Sequence, residues 1–231
     1  MNKFFQIKNQ TEKSADLLFY GDIVSSSDTF FGSEEDKCPS DIAEFLKNEE
    51  GKDLNIYINS CGGNVFAGFA IYNQLKRYSG HKTVYVDGLA GSIASVIAFA
   101  GDEIIMPSNS YLMIHKPFQA IIGNADELRK TADDLDRIEE GILNVYSEHL
   151  LDGISAETIS EMMKNETWLS AEASAGLFRN ITVESEKKAV AYCGLNNEFI
   201  NIPKEIKDKT SANIQALEDA RKKISSLKER I

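Results

Sequence analysis

The amino-acid sequence predicts an α/β fold built on a largely parallel sheet, with a long protruding helix and a C-terminal amphipathic helical tail. Three observations predict it. Short runs rich in Val, Ile, Leu and Tyr alternate with segments of helical period, the pattern of strands joined by right-handed helical crossovers. A single apolar stripe then follows Ala125–Leu151 through many charges, as on an amphipathic helix. Finally, Pro203–Ile231 holds eight basic and five acidic residues in a chain whose net charge is −11, so the charge changes sign at Pro203.

Residues 1–16 read as an N-terminal extension without an apolar run, so no signal peptide is expected. Strands are expected at Leu17–Ile23, Leu54–Asn59, Thr83–Asp87, Glu103–Met106 and Leu112–His115. Helical patterns fall between them at Ile42–Leu46, Phe66–Tyr78 and the small-residue segment Ser92–Ala100. After the long helix, Ser155 and Ser170 stand as caps before short helices at Ala156–Met163 and Ala171–Phe178. The long stripe either packs on the protein's own sheet or meets a second subunit. Residues 17–185 thus form the folded body, 186–202 a connecting segment and 203–231 a basic tail. In that tail Leu217, Ala220, Ile224, Leu227 and Ile231 suit a docking or assembly helix.

Composition narrows the function. The body carries the acidic excess, which disfavours nucleic acid as a partner. The longest apolar stretch, Ile93–Ala100, is far short of the roughly 20 residues of a membrane span. Cys38, Cys61 and Cys193 are too few and too widely spaced for a disulfide framework or a zinc site, so neither metal nor cofactor is expected and a reducing cytoplasm is.

Two glycine-containing turns follow strands. Asn59-Ser60-Cys61-Gly62-Gly63 ends LNIYIN, and Gly88-Leu89-Ala90-Gly91-Ser92 ends KTVYVD. Loops at the carboxyl ends of strands are where α/β sheets bind ligands. Gly62 and Gly63 let backbone N–H groups approach a substrate atom with no Cβ in the way, which suits a phosphate or an oxyanion. Neither GxxxxGK[ST] nor GxGxxG is present, which disfavours nucleotides. Ser92 stands at a helix start among small neighbours, either as a plain N-cap or as a nucleophile favoured by the helix N-terminus. Of the three histidines, His81 lies in a turn and His149 in the charged helix, both reading as solvated. His115 ends an apolar strand before Lys116-Pro117 and projects toward the same loops.

These residues carry a resemblance. Asn59-Ser60-Cys61-Gly62-Gly63 with Ala67–Tyr72, then Gly88–Ser95, then Asn109 and Met113-Ile114-His115-Lys116-Pro117, resemble in order and spacing the motifs of the ClpP-type serine peptidases over about residues 17–185. Tyr20–Ile23, Phe30–Asp36, Ala132–Asp136 and Glu166–Glu172 most resemble the head maturation proteases of phages and prophages. The resemblance implies a ClpP/crotonase-like fold and a serine endopeptidase with Ser92 as nucleophile, His115 as general base and the N–H groups of Gly63 and Ile93 as oxyanion hole. The family's aspartate falls on Glu166, with Asp152 the nearest aspartate alternative. It also implies a homo-oligomeric ring acting on protein substrates in the bacterial host's cytoplasm. For the phage type these are capsid or scaffold proteins, which the basic tail could recruit. The other readings are a cellular Clp proteolytic subunit working with an ATPase, a crotonase-like acyl-CoA enzyme and a catalytically silent scaffold. The N-terminus matches no axial loop of the family, so nothing in the sequence supports an ATPase partner. Cys61 replaces the family's proline, which is expected to loosen the glycine loop and to leave a thiol beside it.

Overall fold

Alternation of buried and half-buried residues defines the strands, and their order is parallel, as the crossovers require. The computed structural model describes residues 13–26 and 35–184. The connecting segment 186–202 and the tail 203–231 lie outside the described residues. Strands β1 (Ser14–Phe19), β2 (Asp53–Ser60), β3 (Lys82–Gly91), β4 (Glu103–Pro107) and β7 (Ile181–Glu184) lie side by side in that order. Helices α1 (Pro39–Asn48) and α2 (Val65–Arg77) connect the first three. Their Ile42, Phe45, Ile71 and Leu75 join Leu17, Phe19, Ile56, Ile58, Val84, Val86 and Ile104 in the core. On the opposite face, Tyr57 and Tyr85 stack with ring centroids 5.0 Å apart, and Tyr20 donates its hydroxyl hydrogen bond to Asp87.

The first strand begins and ends earlier than the expected Leu17–Ile23. Its pairing with β2 stops at Phe19, and the chain turns at Gly21. There Asp22 accepts the N–H of Lys37, and Ile23 makes isolated bridges to Lys37 and Gly63.

Strand β3 is long enough to serve two neighbours. Thr83–Tyr85 pair with β4, whereas Leu89–Gly91 pair with β5 (Tyr111–Ile114). β5 in turn pairs antiparallel with β6 (Thr167–Ser170). Neither β6 nor β7 was expected from sequence. Each has four residues, too few to display a period. Short helices α3 (Ile93–Ala98), α5 (Ala156–Lys164) and α6 (Ala171–Ala175) follow the expected positions, with Ser155 and Ser170 capping α5 and α6 through their side chains.

The long helix α4 spans Ala125–Ser147, ending four residues before the expected Leu151. At 1.5 Å per residue it is roughly 35 Å long. Only its C-terminal half is held by the body, through Ile142, Val145 and Tyr146. In its first half the stripe is uncovered: Leu128 is 45% exposed, and Ile121 and Ile122, which precede the helix in the chain, are exposed too. The stripe therefore does not pack along its whole length on the protein's own sheet.

Candidate active site

The topology delivers four chain segments to one edge of the sheet. β2, β3 and β5 are parallel, so the residues that follow them emerge together: Cys61–Gly63, Ser92 and His115. An antiparallel strand is needed to bring a preceding residue to that edge, and β6 supplies it. Ile114 pairs with Thr167, so His115 and Glu166 each lie one residue beyond the paired ends of the two strands.

Ser92 Oγ and His115 Nε2 are 2.7 Å apart. Ser92 has φ 52° and ψ −127°, a conformation costly to a residue with a Cβ, and its side chain makes no capping hydrogen bond to α3. It is therefore not a plain helix cap. Its N–H donates to Met113 O at 2.8 Å, so the strand that carries His115 also anchors the amide of Ser92.

The glycine loop packs directly on this serine. A Cβ on Gly62 would lie 2.7 Å from Ser92 Cβ and 2.8 Å from Gly91 O. One on Gly63 would lie 2.2 Å from Ile23 O. Both glycines have positive φ, 107° and 140°, so backbone shape and space each require them. The bridge to Ile23 uses the Ile23 N–H on Gly62 O and the Asn64 N–H on Ile23 O, which leaves the Gly63 N–H outside it. Ile93 opens α3, and its N–H is one of the donors for which a helix has no internal acceptor.

Ser60, which sequence reasoning passed over, braces the loop: its hydroxyl donates to Gly21 O at 2.6 Å and accepts the Gly62 N–H at 3.1 Å. Asn59 Oδ1 accepts the Leu89 N–H, tying the two glycine-containing turns together. The loop is thus held from several sides, contrary to the loosening expected from the loss of proline. Cys61 is disulfide-bonded, which corrects the expected free thiol.

Burial holds the pKa of His115 below its ordinary value, opposed by the carboxylate of Glu166. Phe118 packs edge-on against the imidazole with centroids 5.7 Å apart, while its own side chain stays largely exposed. Glu166 has φ 47°, so the turn from α5 into β6 is itself strained. Asp152 lies elsewhere: its side chain is fully exposed, 3.7 Å from Arg179. His149 is half-buried against Phe99, with its pKa lowered by burial, rather than solvated as expected. His81 is more than half exposed, beside Asp102.

Among the described residues, no group of three or more His, Cys, Asp or Glu side chains is arranged to hold a metal ion. No helix among them is long and apolar enough to cross a membrane.

A largely parallel α/β sheet whose strand ends bring a strained serine, a histidine and a double-glycine loop together defines the class of α/β proteins with a Ser–His site. Comparison with known proteins narrows it. The Clp protease family model matches residues 18–185, and the chain belongs to that family. It is 31% identical over 173 residues to the ATP-dependent Clp protease proteolytic subunit 2 of Chlamydia trachomatis, covering 73% of this chain and 76% of the relative. It is 32% identical over 143 residues to the ATP-dependent Clp protease proteolytic subunit of Chlorella vulgaris, covering 60% of this chain and 70% of the relative. Against the corresponding Bacteroides fragilis subunit it is 31% identical over 127 residues, which is 54% of this chain and 60% of that protein. The chain thus spans less than two thirds of the length of this last relative.

Proposed function

We propose that the protein is a serine endopeptidase of the Clp proteolytic-subunit type, and the observation that carries this reading is the 2.7 Å approach of His115 Nε2 to the hydroxyl of the strained Ser92. With the imidazole proton on Nδ1, the Ser92 hydroxyl donates to Nε2 and is activated for attack on a peptide carbonyl. His115 takes that proton and returns it to the leaving amine. The N–H groups of Gly63 and Ile93 receive the negative charge that develops on the carbonyl oxygen. Glu166, one residue before β6, orients the imidazole and stabilises its cation as an aspartate would. The electrostatic pull of Glu166 on His115 supports it over Asp152 as the acid. Ser92 and His115 together favour peptidase chemistry over a crotonase-like acyl-CoA reaction, which needs no such pair.

The substrate is protein, and the active particle is a homo-oligomer. The uncovered first half of the α4 stripe supports assembly, since an isolated protomer leaves it wet. Within this class the motif resemblance favours processing of capsid or scaffold proteins during head maturation, with the basic tail as recruiter. The names of the relatives favour a second reading, a cellular subunit working under an ATPase. Fluorophosphonate labelling with peptide mapping tests the chemistry, with modification expected at Ser92 and none in Ser92→Ala. A Ser92→Ala variant with undiminished turnover would sink the assignment. ATP-stimulated degradation of a folded substrate would select the cellular reading; ATP-independent cleavage of a capsid precursor would select the first.

A further inference from the structure

The carbonyl of Ser92 is held from inside the body by side chains that take no part in the triad. Ser95, fully buried in α3, donates its hydroxyl hydrogen to Ser92 O at 2.5 Å, and its N–H reaches the same oxygen at 3.0 Å. Back-bonding of this kind is ordinary in helices. Here, however, the acceptor belongs to a residue at φ 52°, and the Ser95 hydroxyl has a second partner. Tyr146, buried in the C-terminal half of α4, places its hydroxyl 2.7 Å from Ser95 Oγ.

Proton accounting sets the direction of the chain. The single hydroxyl hydrogen of Ser95 is committed to Ser92 O, so Tyr146 donates and Ser95 accepts. Burial raises the phenol's pKa well above its ordinary value, so it remains a donor throughout the neutral range. The ring has little freedom to leave, packed edge-on to Phe99 at 5.6 Å and tilted against Phe178 at 6.1 Å. With its lone pair engaged by the phenol, the Ser95 hydroxyl is aimed at the Ser92 carbonyl.

A strained conformation persists only where its surroundings over-determine it. The amide of Ser92 is anchored by Met113, and its carbonyl is anchored through Ser95 by α4. We infer that Tyr146 and Ser95 form a positioning relay that holds the backbone of Ser92 in the conformation presenting its hydroxyl to His115, so that the packing of the long helix is read out in the reactivity of the serine. This rests on the reading of Ser92 as nucleophile.

The test uses the full chain and measures the rate of fluorophosphonate labelling at Ser92, together with kcat and KM on a short peptide. No labelling of the unaltered protein at Ser92 overturns the nucleophile reading and the relay with it. Given labelling, Tyr146→Phe keeps the ring and removes only the donor. It is expected to slow labelling and lower kcat by about three- to tenfold, the scale of one hydrogen bond, with KM unchanged. Ser95→Ala should do the same, and the double variant should lose no more than the larger single loss, because a broken relay cannot be broken again. Tyr72→Phe removes another buried phenol, outside the relay, and should label at the unaltered rate. Unchanged labelling in Tyr146→Phe overturns the relay while leaving the nucleophile reading intact, as does a double variant whose loss is the product of the two singles. Loss of the native near-ultraviolet circular dichroism in Ser95→Ala also overturns it, since the hydroxyls would then serve the fold rather than the serine.

Discussion

Gly62→Ala puts one methyl group where the structure has no room for it. The new carbon would sit 2.7 Å from Ser92 Cβ and 2.8 Å from Gly91 O, against the roughly 3.5–4.0 Å at which carbon atoms pack. Relief requires a relative displacement of about 1 Å between the glycine loop and the serine. A displacement of that size is enough to cost on the order of 10²-fold in rate. Stability falls too. An L-residue at φ 107° is strained by about 1–3 kcal/mol, and overpacking costs a similar amount. Together these cost about 2–6 kcal/mol, and at about 2–4 °C per kcal/mol for a domain of this size the melting temperature should fall by roughly 4–24 °C. Gly153→Ala is the control: its φ is 90°, yet nothing lies within 4 Å of the added carbon. It should lose about 1–2 kcal/mol of stability and none of its turnover. The assay is kcat on a short fluorogenic peptide at a temperature where both variants are folded, with thermal melts alongside. Undiminished turnover in Gly62→Ala, or an equal loss in Gly153→Ala, would refute the claim that the loop's contact with Ser92 sets the rate.

Glu166→Gln should lower the plateau of kcat/KM by as much as roughly 10⁴-fold. The acidic limb of the pH profile reports deprotonation of His115, and its midpoint should move to lower pH because the carboxylate that raises the imidazole's pKa is gone. Asp152→Asn should leave both features unchanged, and a larger loss there would exchange the two roles. Because burial lowers the pKa of both His115 and His149, the unfolded chain binds more protons than the folded one as pH falls through about 6.5. Their stabilising contribution is therefore present above that pH and lost below it, which thermal melts between about pH 8 and pH 5.5 would register. Phe99→Ala, at a fully buried position against Phe178 at 4.7 Å, should cost about 3–5 kcal/mol by urea denaturation.

Much of this site was legible before any coordinates. The period of Leu54–Asn59 and Thr83–Asp87, punctuated by Gly62-Gly63 and Gly91-Ser92, located strand ends and loops because alternation and glycine are local signals. With only three histidines to choose from, His115 followed from its place at the end of an apolar strand. The α/β class and a long helix near 125–150 came from the same periodicities. What remained hidden depends on partners distant in the chain. The four-residue β6 has no period of its own, and it is a strand because β5 offers it an antiparallel edge. That pairing brings Glu166, one residue before β6, to the strand end that leads into His115, while Asp152 lies beside Arg179. The bracing of the glycine loop by Ser60, Gly21 and Ile23 likewise joins residues some forty positions apart. The strain at Ser92 was invisible for the same reason: a serine before a helix is by local preference a cap, whereas here its N–H donates to Met113 O and its φ is 52°, and Met113 lies some twenty positions away in the chain. Sequence alone determined which segments become strands and which residues can do chemistry, because periodicity and side-chain type are properties of neighbours. Tertiary structure alone decided which carboxylate lies near enough to act on the charge of the histidine and which serine is held under strain, because both require chain segments that meet only when the sheet closes.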